Sequence, residues 1–70
     1  MSNMSKRLVN GLGNAIYEEA CHYKADQGTV DRIIAGVSDF LDDKGIEAWP
    51  FQQAAGWDDE EHTRWLRGRK

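Results

Sequence analysis

TVDRIIAGVSDFLDDKG, residues 29–45, decides the fold. Val30, Ile33, Ile34, Val37, Phe40 and Leu41 recur at the three- and four-residue steps that line one face of an α-helix. Thr29 is a residue type that caps a helix start, and Asp31 falls in the first turn, where the dipole favours an acid. Gly45 stands just past the last periodic residue, where a left-handed residue ends a helix, and Ile46 supplies the apolar contact of such a stop. The pattern predicts a helix over about 30–44.

Upstream, SKRLVNGLGNAIYEEACHYKADQG repeats the theme at residues 5–28. Leu8, Leu12, Ala15, Ile16, Ala20 and Tyr23 share one stripe, which predicts a helix over about 8–27 with Ser5 as N-cap and Gly28 as its stop. Gly11 and Gly13 interrupt it. Each costs a helix interior about 1 kcal/mol relative to alanine, so the first turns are expected to fray.

Downstream, Trp49-Pro50-Phe51 through Gly56 places proline at a first helical position and glycine just past an end, the signature of one short helical turn at 50–55. Asp58 and Glu61 then form an acidic capping box, acids fill the first turn, and bases gather at residues 64–70, predicting a helix over about 58–68. Below about 12 residues a helix persists only by docking, here through Trp65 and Leu66. No segment sustains the alternation of a half-buried strand. The expected fold is all-α: a single domain over residues 1–70, a small bundle of three helices with a short Pro-initiated turn.

Composition narrows the function. With 70 residues the chain has little room for both a core and a deep catalytic cleft, which sets binding ahead of catalysis. One cysteine, Cys21, permits no internal disulfide and fits a reducing compartment. No apolar run reaches membrane-spanning length, and Lys6 and Arg7 are not followed by the apolar core of a signal peptide, so a cytoplasmic protein is expected. The net charge of −3 is unevenly spread. Residues 18–47 hold eight acids against three bases, whereas Arg64, Arg67, Arg69 and Lys70 end the chain with no acid among residues 62–70. Such a middle repels nucleic acid, while the C-terminal end tolerates it.

Reactive constellations are weak. Cys21 and His22 are neighbours, point about 100° apart on a helix and cannot chelate one ion together. No metal-ligand spacing is present and no cofactor is expected. Cys21, after Ala20, is expected as a core or boundary thiol rather than a nucleophile. Asp42-Asp43 and Asp58 through Glu61 sit at helix ends and are expected to face water.

The aromatics carry more. All three tryptophans lie within residues 49–70. Trp49, Phe51, Trp57 and Trp65 cannot all enter so small a core, since each buries roughly 150–250 Å². Two or three should form its lid, with at least one left partly exposed beside arginine, the composition of an interface hot spot. His62 falls one turn before Leu66, as a boundary residue sharing a face with Trp65. The expected partner-binding set is therefore Trp49, Phe51, Trp57, His62, Arg64, Trp65, Arg67 and Arg69. A non-enzymatic protein that binds a partner protein fits best, with its acidic middle meeting a basic site. A small inhibitor or accessory regulator of the phage or mobile-element type would fit this size and charge. A homodimer would bury the same aromatics.

The Trp49-Pro50-Phe51 step followed by Glu61-His62-Thr63-Arg64-Trp65-Leu66-Arg67-Gly68 resembles the tail of small proteins of the ribosome modulation factor type, which have a Pro-aromatic step and a helix ending in Trp-x-x-Gly. Tyr23, Ala25 and Gly28 echo the spacing of that family's first helix. The resemblance implies Pro50, Phe51, Trp65 and Gly68 as a shared framework, with Arg64, Arg67, Arg69 and Lys70 facing RNA or the ribosome. It covers about a third of the chain. Thr29 to Ala48 has no place in the family pattern, and the factor itself is strongly basic where this chain is acidic.

Overall fold

The computed structural model describes residues 5–68. They form α1 (Lys6–His22), α2 (Gln27–Asp43), α3 (Trp49–Ala54) and α4 (Asp59–Gly68), with no strand among the described residues. The fold is all-α as expected, and the Pro-initiated turn is a six-residue helix, α3. Arg69 and Lys70, both expected to contact a partner, lie outside the described residues.

Local capping sets the boundaries. Ser5 Oγ accepts from the Leu8 amide at 3.2 Å and opens α1, which runs from Lys6 without losing its first turns at Gly11 and Gly13. Asp58 and Glu61 complete their capping box, each side chain accepting from the other's amide at 3.0 and 2.9 Å. Two expectations fail together: α1 ends at His22 rather than near 27, and Gly28 lies inside α2 rather than stopping α1. Asp26, not Thr29, caps α2, accepting from the Thr29 amide at 3.2 Å. An acid one turn earlier satisfies the same free amides and adds charge at the positive end of the dipole.

Three helices end in the same way. Ile46 donates to the Leu41 carbonyl and Gly45 to Asp42, with Gly45 at φ 77°. Trp57 donates to Gln52 and Gly56 to Gln53, with Gly56 at φ 104°. At the end of α1, Ala25 donates to Ala20 and Lys24 to Cys21, but the left-handed residue is Lys24, at φ 52°. A side chain there is strained, and the reversal that brings α2 back beside α1 depends on it.

The core consists of Val9, Val30, Ile34, Leu41, Ala48, Phe51, Ala55 and Trp57. α3 lies across α1 at Gly13. A Cβ at that position would stand 2.5 Å from the Phe51 carbonyl oxygen and 2.7 Å from the Ala54 Cβ, so only glycine admits this approach. The crossing also sets the phase of α1: the inward stripe is Val9 and Gly13, buried, with the half-buried Ile16 and Ala20, whereas Leu8, Leu12 and Tyr23 of the expected stripe are exposed. On α2 the buried stripe is Val30, Ile34, Ser38 and Leu41, leaving Ile33 and Phe40 exposed. Cys21 is exposed rather than a core or boundary thiol. No helix of the described residues is long and apolar enough to cross a membrane.

Candidate functional site

No residue of α4 is fully buried, so its position depends on what its side chains reach. Both tryptophans at this end of the chain donate to carboxylates of α2. Trp57 Nε1 donates to Asp31 Oδ1 at 3.1 Å, and Trp65 Nε1 to Asp39 Oδ1 at 2.9 Å. Asp31 is itself steadied by Gln27 Nε2 at 2.9 Å. Two turns of α2 thus hold two indoles, and the indoles hold α4.

Behind them runs a chain of buried polar groups. Ser38 Oγ donates to the Ile34 carbonyl at 2.7 Å and accepts from Gln52 Nε2 at 2.8 Å, and both side chains are fully buried. Gln52 Oε1 lies 2.6 Å from His62 Nδ1. With its amide nitrogen committed to Ser38, Gln52 can only accept from the histidine, so Nδ1 carries a proton. No buried side-chain polar atom among the described residues lacks a partner. Buried polar groups cost little only when fully paired, and this chain fixes α4 to α3 and α2 in one register.

The His62 ring lies between two indoles, its centroid 4.5 Å from that of Trp49 and 5.9 Å from that of Trp65. All three residues are half-buried. Beside this ridge, α2 and α4 enclose an open cleft of about 240 Å³ lined by Asp31, Arg32, Ala35, Trp57, Glu61, Arg64 and Trp65. Its walls are mainly apolar, and charged groups of both signs stand at its mouth. Arg64 reaches Glu60 at 3.7 Å, with both side chains largely in water, a pair contributing about 0.3–0.5 kcal/mol.

The expected contact residues therefore separate. Trp49, His62 and Trp65 come together as one ridge, Arg64 lines the adjoining cleft with Trp57 and Trp65, and Arg67 is exposed on the last turn of α4. Phe51 has no exposed surface and is core, a correction to its place in the set. Trp57 is 8% exposed and shows the cleft only part of its ring. Sequence reasoning missed Arg32 and Ala35 as cleft residues, and Ser38 and Gln52 as its support. A polar residue in phase with Val30, Ile34 and Leu41 was the available signal for Ser38.

Cys21 lines a separate hollow of about 270 Å³ with Tyr17, Lys24 and Gly56, and no histidine lines it. His22 is turned edge-on to Tyr23, with ring centroids 4.7 Å apart. No group of three or more histidine, cysteine, aspartate or glutamate side chains among the described residues could hold a metal ion. No protein-family model, curated protein or solved structure matches this chain, so the functional reading stands on its geometry.

Proposed function

We propose that this chain is a small non-enzymatic helical protein that binds a partner protein through the face shared by α2 and α4, acting in the cytoplasm as a regulator or inhibitor. One observation carries the proposal: Trp57 and Trp65 are held by hydrogen bonds to α2 on the walls of an open apolar cleft. Tryptophan beside arginine is the usual composition of a hot spot, and aromatic surface fixed before binding loses little entropy when a partner arrives. The cleft has room for one apolar side chain of a partner. The cleft lining balances Asp31 and Glu61 against Arg32 and Arg64, and the chain as a whole carries a net charge of −3, which suits a partner with a basic surface.

The test is a tagged capture from cell lysate, with and without nuclease and at two salt concentrations, comparing the natural chain with Ala35→Phe. Ala35 is half-buried on the cleft wall, and a phenyl ring there fills the cleft. A protein that survives nuclease and high salt, and is lost with Ala35→Phe, supports the proposal. Recovery of ribosomes or RNA that disappears with nuclease or salt overturns it in favour of direct RNA binding through Arg64, Arg67, Arg69 and Lys70. The setting of Arg64 and Arg67 weighs against that alternative, since they share a surface hollow with Asp59 and Glu60.

A further inference from the structure

α1 carries its charges the wrong way round for its own dipole. Lys6 and Arg7 begin it, beside the positive end, and Glu18 and Glu19 approach its negative end. Each placement disfavours the isolated helix. No ion pair among the described residues relieves any of the four. Between these ends lies apolar surface that the core leaves uncovered. Leu8 is 56% exposed and Leu12 36% exposed, each one residue round the helix from the buried Val9 and Gly13. Gly11 and Ala15 are exposed on the same flank, and a Cβ at Gly11 would meet nothing within 4 Å. Gly11 thus weakens the helix without serving any contact inside the chain, unlike Gly13.

We propose that this flank of α1 is a self-association surface, on which a second copy of the chain packs its own α1 antiparallel across a twofold axis near residues 12 and 13. About that axis Arg7 of each copy faces Glu18 of the other, on the same side of the pair, and each contact occurs twice. Leu8 and Leu12 of both copies fill the centre, and Gly11 lets the two backbones come close. Antiparallel packing also sets each basic start beside the negative end of the neighbouring helix, which reverses the penalty each α1 carries alone. A parallel pair would oppose like charges. The occupant is a second copy because one surface supplies both halves of the complementarity.

The experiment is sedimentation equilibrium on the full chain, with Arg7→Glu, Glu18→Arg and an equimolar mixture of the two. The natural chain should dimerise with concentration. Each variant alone should dimerise about tenfold more weakly or worse, because the reversed residue repels its counterpart. The mixture should recover a heterodimer close to natural strength, as should the doubly exchanged chain. Circular dichroism separates this effect from folding, since Arg7→Glu places an acid at the positive end of α1 and should preserve or raise helicity while dimerisation falls. A chain that stays monomeric at the highest attainable concentration overturns the proposal. So does a dimer indifferent to both reversals, or a mixture that fails to recover.

Discussion

The crossing of α1 and α3 and the seam between α2 and α4 are built on opposite principles. At the crossing, Gly13 lets two backbones meet with no space left, beside the fully buried Phe51. The seam closes nothing so tightly. Two indole N–H groups, one glutamine and one histidine hold α4 in place, and an open cleft remains. Shape fixes the first region and directed hydrogen bonds fix the second. A region held by a few directed bonds, with aromatic faces half-exposed, can receive another surface, whereas a filled crossing cannot.

The sharpest way to break this contrast is Gly13→Ala. Alanine is the better helix former, yet its Cβ collides with backbone, so the variant should lose about 2–3 kcal/mol in urea unfolding. Unchanged stability would mean that the crossing is not sterically filled. Gln52→Leu comes next. It removes the donor to Ser38 and the acceptor for His62 in a buried place, and should cost about 2 kcal/mol. Because the loss falls on the seam, Trp49 and Trp65 should also become more accessible to a fluorescence quencher. Asp39→Ala should cost about 1 kcal/mol by freeing Trp65 Nε1. Its signature is local, with faster amide exchange in α4 than in α1. A uniform rise along the chain would contradict a separately held α4. The smallest effect is Gly11→Ala, at which a Cβ meets nothing within the chain; measured on the dilute monomer, it should stabilise the fold by about 0.5–1 kcal/mol, opposite in sign to Gly13→Ala.

The two regions were also unequally legible in the sequence. Helix ends that depend on local chemistry could be read directly, as with the box of Asp58 and Glu61 and the stops at Gly45 and Gly56. The end of α1 could not, because Lys24 adopts a left-handed conformation that the sequence pattern assigns to glycine. Phase was misjudged where the core departs from counting apolar side chains. Gly13 is buried for what it lacks, which turns α1 toward Val9 and away from Leu8 and Leu12. Ser38 is buried because Gln52 and the Ile34 carbonyl satisfy it. A partner 14 residues away leaves no trace in local periodicity. The aromatic set could be found as a set, but its division into core and surface could not. That division depends on α3 lying across α1, a contact fixed only by the tertiary fold.

The most direct measurement of the central claim is hydrogen exchange on the chain alone and in complex with whatever protein it captures. The geometry predicts protection on binding within residues 31–39 of α2 and 59–68 of α4, the two walls of the cleft. Protection confined to other segments, with both walls exchanging as they do in the free chain, would contradict a partner surface at the α2–α4 seam.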